Sequence, residues 1–148
     1  MSPEIARVFV SYDRANDADL RDRLVAESRR SAVFSVEASS EASASDDARL
    51  RNQISAADAV IVICGEHTDS CVSVSDELRV CRELDTPLLL LWGRRAAMCK
   101  KPASARPDDA IYGWTPDILR VQLQTLTRTK REVPVRLRRA ATPVKSEG

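Results

Sequence analysis

Glycine is scarce in this chain of 148 residues, with four in all, at positions 65, 93, 113 and 148. Neither a G-x-G-x-x-G turn nor a Walker loop can be drawn from them, which excludes a glycine-rich cradle for phosphate. Histidine is scarcer still, with His67 alone, and the four cysteines (Cys64, Cys71, Cys81, Cys99) contain no Cys-x-x-Cys pair. Such a set lacks the paired ligands of a zinc site, so no metal is expected. No apolar run approaches the roughly 20 residues of a membrane span, and the amino terminus has no charged-then-apolar leader. A cytoplasmic protein with reduced thiols is therefore expected. One-signed charge is missing too. The formal net charge of +1 implies no global pull toward nucleic acid or membrane, and neither is expected as a partner.

What charge imbalance exists is local. From Arg128 onward there are seven Lys/Arg against two Glu, a net of +5, leaving −4 for the rest. The length suits one compact domain over residues 1–128, followed by a basic, flexible tail over 129–148. No internal repeat is visible.

The apolar pattern alternates between strand and helix. Arg7 to Tyr12 predicts a first strand, and Asn16 caps a helix running to about Arg30, with Leu20 and Leu24 on one face. Val33 to Val36 predicts a short second strand, followed by an exposed Ala/Ser-rich loop over Glu37 to Ser45. Ser45 caps a second helix with Leu50 and Ile54 as its apolar stripe, and Ala59 to Cys64 is the central strand. Ser73 opens a third helix, with Val74, Leu78 and Cys81 facing inward; Cys64 and Cys81 read as small core residues. Pro87 to Trp92 is a fourth strand, a polar loop covers Arg94 to Asp109, and Ile111-Tyr112 is a short fifth strand. Thr115-Pro116-Asp117 starts a last helix that runs to about Thr127.

Strands alternating with helices imply a parallel α/β sheet covered on both faces, and the flavodoxin-like order 2-1-3-4-5 is the economical arrangement. Its switch point lies between the first and third strands. The loops Ser11-Tyr12-Asp13 and Gly65-Glu66-His67-Thr68 should then flank one crevice, with Glu77 early in the third helix close by. Glu77 precedes Leu78 by one position, about 100° round the axis, which puts it at the border of the buried face. A phosphoacceptor receiver would carry an aspartate at the end of the third strand, where Cys64-Gly65 stands instead, and no nucleophile elbow is present.

Arg7-Val-Phe-Val-Ser11-Tyr-Asp13, the Ala59-to-Thr68 segment ending Cys-Gly-Glu-His-Thr, and Asp76-Glu77-Leu78 resemble TIR-like proteins of bacterial antiphage defence, in particular the small TIR sensor subunit of Thoeris systems. Lys101-Pro102 and Ile111-Tyr112-Gly113-Trp114-Thr115 fit that group's later pattern, so the resemblance covers roughly residues 5 to 125. It implies a flavodoxin-like TIR fold with NAD as substrate and no resident cofactor. The bond between nicotinamide and ribose would be cleaved to release a cyclic or conjugated ADP-ribose signal. It further implies a nucleotide-sensing effector protein downstream, a phage-derived trigger, and room for a homo-oligomer. Glu77 takes the place of the catalytic glutamate. Ser11, Tyr12 and Asp13 would line the nicotinamide side or shape the loop after the first strand, and Gly65, His67 and Thr68 would face ribose or phosphate across the crevice. The Ala/Ser-rich Glu37-to-Ser45 segment departs from the aromatic or proline-bearing loop of many TIR proteins. Two other classes fit the same pattern: a TIR interaction module that self-associates without turning over NAD, and a nucleoside deoxyribosyltransferase-like enzyme.

Overall fold

The computed structural model describes residues 5–40 and 47–132. Ten short segments alternate along it: β1 (Ala6–Ser11), α1 (Ala18–Ser31), β2 (Phe34–Ser39), α2 (Asp47–Ala56), β3 (Ala59–Cys64), a 3-10 turn (Thr68–Ser70), α3 (Val72–Glu83), β4 (Leu88–Trp92), β5 (Ile111–Gly113) and α4 (Pro116–Glu132). The strands form one sheet in the order β2-β1-β3-β4-β5, and every pairing is parallel. The expected order 2-1-3-4-5 is what the protein adopts.

Side-chain alternation divides the core into two layers. Val8, Val10, Ile61, Ile63, Leu89 and Leu91 project to one face, where Leu20 and Leu24 of α1 and Leu119 and Leu123 of α4 cover them. Phe9, Val60, Val62, Cys64 and Leu90 project to the other, against Ile54 of α2 and Val74, Val80 and Cys81 of α3. All six residues of β3 are buried, because the central strand of a doubly covered sheet has no solvated face. Cys64 and Cys81 are core residues as expected, and burial pushes the Cys64 thiol up to about 12.

Four expectations about the elements change. The segment read as a loop from Glu37 begins as strand, since β2 continues to Ser39. The register shows why its pattern was obscure: Val8 pairs with Val36 but Phe9 pairs with Ala38, so Glu37 is an extra residue, a β-bulge. The helix cap at Asn16 also differs. Asp17 holds the position before α1 and makes no side-chain cap bond, while Asn16 Nδ2 donates to Asp13 Oδ2 at 2.7 Å. Helix α3 starts at Val72, one residue earlier than Ser73, and α4 runs past Thr127 to Glu132. The cap assigned to Ser45, and the basic tail beyond residue 132, lie outside the described residues.

Scarcity of glycine leaves a mark on the backbone. The left-handed residues among those described are Ala32 (φ 58°) and Asp85 (φ 56°), and none of the described glycines has positive φ. Ala32 follows the last turn of α1, where a glycine ordinarily relieves the clash of Cβ with the backbone. Ala32→Gly is expected to raise stability by roughly 0.5–1 kcal/mol, read as an upward shift of the urea midpoint.

Candidate functional site

The residue at the centre of the site is Glu77, in the second turn of α3 and 5% exposed. Val74, Leu78 and Cys81 pin the helix to the sheet, and the neighbouring position swings the Glu77 side chain toward the carboxyl ends of β1 and β2. Two hydroxyls meet it there. Ser11 Oγ and Ser40 Oγ each donate to Glu77 Oε1 at 2.6 Å. Ser40 Oγ in turn accepts from the Tyr12 backbone N–H at 3.1 Å, and the Ser40 N–H donates to the Val10 carbonyl at 2.9 Å. Both serines converge on one oxygen, and among the described residues no donor reaches Oε2. The carboxylate is therefore held through one oxygen by two hydroxyls from two different strands.

Electrostatically Glu77 is a costly anion. Burial is the main influence and raises its pKa above the usual 4.5; the Ser11 and Ser40 hydrogen bonds counter it, nearby Asp76 adds to it, and the charge of Arg14 opposes it. The net direction is upward. A carboxylate held in that state is a stronger base, and attracts a nearby developing cation more strongly, than one in water.

Ser40 is the member of this site that the sequence concealed. In an unbroken strand, Phe34, Val36, Ala38 and Ser40 would share one face. The bulge at Glu37 moves Ala38 to the α2/α3 layer and Ser40 with it, beside Ser11 and facing α3. Only register decides this; the run Glu37-Ala-Ser-Ser40 carries no apolar signal from which it could be read.

Of the remaining expected residues, Asp13 takes the loop-shaping role and the others lie away from Glu77. Tyr12 alternates away from Ser11, so its ring packs in the α1/α4 layer under the Arg21 guanidinium at 5.3 Å, and it meets the site through its backbone N–H alone. Asp13 is 5% exposed and shapes the turn after β1: Oδ1 accepts from the Ala15 N–H at 3.1 Å and Oδ2 from Asn16. Gly65 donates its N–H to Thr68 Oγ1 at 2.7 Å, which buries that threonine hydroxyl inside the loop. His67 is exposed at the start of the 3-10 turn. Among the described residues no hydrogen bond joins this loop to Glu77.

The loops after β1 and β3 do approach each other, but protein fills the contact. A Cβ on Gly65 would lie 2.2 Å from Asp17 Oδ2. Asp17 is 1% exposed, its Oδ1 accepts from Arg94 Nη2 at 3.0 Å, and Oδ2 has no hydrogen-bond partner. Burial raises its pKa, with the Arg94 hydrogen bond and charge acting against it. Arg94 also reaches Asp19 at 2.8 Å and the Asn16 carbonyl at 3.0 Å, tying the long loop after β4 to the start of α1. That loop is held over α3 as well, by Ser104 Oγ on the Ser75 carbonyl at 2.8 Å and by the Arg82–Asp109 ion pair.

No family model matches the chain, and no curated protein is similar enough to count as a relative. Among solved structures, a crystal structure of a prokaryotic SEFIR domain matches with a TM-score of 0.54 and 14% sequence identity, over 83% of this chain and 96% of that one. The fold is TIR-like. In this TIR-like frame the Glu77–Ser11–Ser40 cluster sits at the carboxyl ends of β1 and β2, on the edge of the sheet where open α/β folds place their ligands. At such low identity the likeness extends to the fold, so the chemistry rests on the cluster itself. No helix among the described residues is long and apolar enough to cross a membrane.

Proposed function

We propose that this chain is a TIR-fold enzyme that cleaves the nicotinamide–ribose bond of NAD and converts the remainder into a cyclic or conjugated ADP-ribose signal. In this reading it serves antiphage defence of the Thoeris type, with a separate effector sensing the signal and a phage component as trigger. The observation that carries the proposal is a buried carboxylate with one oxygen fixed by two hydroxyls and, among the described residues, no donor on the other.

Departure of nicotinamide leaves an electron-poor, oxocarbenium-like ribose. Glu77 Oε2 stabilises that charge and holds the ribose hydroxyls, and its low-dielectric setting strengthens the attraction. Nicotinamide is already cationic in NAD, so it leaves without a general acid. One carboxylate therefore suffices where most glycosidases use two. A second nucleophile, the adenine of the same molecule among others, then competes with water for the anomeric carbon. Arg14, whose charge is felt at Glu77, is suited to the pyrophosphate.

The test is incubation of the purified chain with NAD and, separately, with deoxynucleosides, each with and without lysate of infected cells. Nicotinamide release from NAD supports the reading. Intact NAD in both incubations overturns it, and base exchange on deoxynucleosides favours the transferase alternative.

The pH dependence follows from the electrostatics. The ionised form is the active one, so the rate falls as pH drops, with an acid limb above the ordinary 4.5. Ser40→Ala removes a hydrogen bond that favours the anion, and the limb then moves to higher pH. A pH–rate profile reads this directly; a limb that stays in place or moves down contradicts the role given to Ser40. The same variant leaves the Tyr12 N–H without its acceptor, at a cost of about 1–3 kcal/mol in stability.

A further inference from the structure

The Ser40 hydroxyl is tied into the Glu77 cluster by two contacts. Its Oγ donates to Glu77 Oε1 at 2.6 Å, the length of a charge-assisted hydrogen bond. The same Oγ accepts from the Tyr12 backbone N–H at 3.1 Å. Ser11 Oγ, also at 2.6 Å, steadies the carboxylate oxygen that Ser40 touches. A hydroxyl in contact with a base that a third group orients is the arrangement of an activated nucleophile. The Tyr12 N–H adds to it, because a donor on Oγ eases the charge that builds there as the proton leaves.

The two serines are not equivalent. Ser11 ends β1, which lies between β2 and β3, and it is fully buried. Ser40 stands one residue beyond β2, the outermost strand on its side of the sheet, and keeps 5% exposure. A hydroxyl oxygen has two lone pairs. The Tyr12 N–H uses one of those on Ser40, and the other is available to an electron-poor carbon. Burial strengthens Glu77 as the proton acceptor. Some glycosidases likewise attack the anomeric carbon with a side-chain hydroxyl.

We propose that Ser40 is a site of self-modification, capturing the ADP-ribosyl group as nicotinamide leaves; this rests on the NAD reading of Glu77. The bond from the nicotinamide nitrogen to the anomeric carbon breaks, its electron pair goes to the nitrogen, and neutral nicotinamide departs. A lone pair of Ser40 Oγ forms the new bond to that carbon. Its proton passes along the existing hydrogen bond to Glu77 Oε1. Charge balances, since the nicotinamide ring loses its positive charge as the carboxylate loses its negative one. The product is a serine O-glycoside, and no oxidant, metal or second protein is needed. A ribose on Ser40 Oγ lies against Glu77, so a modified chain accepts no second NAD. Capture of this kind limits how much NAD one molecule consumes.

The test incubates the full chain with NAD, with and without lysate of infected cells, and maps the adduct by mass spectrometry of its peptides. The expected result is a single ADP-ribose on Ser40 that withstands neutral hydroxylamine, which cleaves an ester on glutamate and spares a serine glycoside. Nicotinamide release should decline as the modified fraction rises. Ser40→Ala abolishes the adduct. Ser40→Cys, which keeps a nucleophile at the position, turns it into a thioglycoside that mercuric ion releases. Glu77→Gln carries at least about 100-fold less adduct in the same lysate, which rules out another enzyme as its source. Nicotinamide release with Ser40 unmodified, a hydroxylamine-labile adduct on Glu77, an adduct on any other residue, or equal labelling of Glu77→Gln overturns this proposal and leaves the NAD reading standing. Intact NAD in every incubation overturns both.

Discussion

Glu77→Gln is expected to lower nicotinamide release from NAD by at least about 100-fold while leaving the thermal midpoint equal to or above that of the native chain. The activity loss follows from removing the only charge the cluster can set against a cationic ribose. The stability result follows from linkage. Burial raises the Glu77 pKa, so the folded state holds its proton more tightly than the unfolded chain does. Stability is then highest below the unfolded value of 4.5 and declines as pH rises through the folded value, where the buried group must ionise. A neutral amide keeps an oxygen to accept from Ser11 and Ser40 and avoids that decline. The paired measurement separates two kinds of glutamate. One kept for the fold would lose stability on substitution, and an interaction module would lose no NAD turnover because it has none. A variant that loses turnover together with several degrees of thermal midpoint would show Glu77 to be a structural group.

Gly65→Ala should be the most damaging single-methyl change in the molecule. The added Cβ would meet Asp17 Oδ2 at 2.2 Å and both Cγ and Oδ1 at 2.8 Å, closer than real side chains approach. Asp17 cannot simply swing away. It is buried, one oxygen is held by Arg94, and its N–H donates to the Asp13 carbonyl at 2.7 Å. Relief requires moving the start of α1 or breaking the Arg94 pair, at a cost of about 2–4 kcal/mol. For a domain of this size that is a drop of roughly 5–12 °C in the thermal midpoint. Trimming Asp17 to alanine in the same chain should recover much of the loss, giving a strongly non-additive double-mutant cycle. An unchanged midpoint for Gly65→Ala, or strictly additive effects, would falsify the packing account.

Much of the architecture was legible along the chain because it rests on periodicity. β3 reads as a run of β-branched residues since both its faces are buried, and α3 reads as Val74, Leu78 and Cys81 since one face is. Glu77, one position from that stripe, could be placed at the border of the core by helical geometry alone. The cap of α1 was misplaced because its polar side chains had more than one available partner. Asn16 caps α1 in the sequence pattern yet bonds Asp13, and Asp17 turns to Arg94, 77 residues away.

Sequence alone determined that this is a parallel α/β domain in the order 2-1-3-4-5, and that an acidic side chain would lie near the strand ends. Tertiary structure alone decided what surrounds that acid. Strand alternation carried the Tyr12 ring to one face and Ser11 to the other, and a one-residue bulge at Glu37 brought Ser40 over to join it. A hydroxyl's partner depends on which face its residue presents after strands pair, and the residues that set the register here leave no periodic trace.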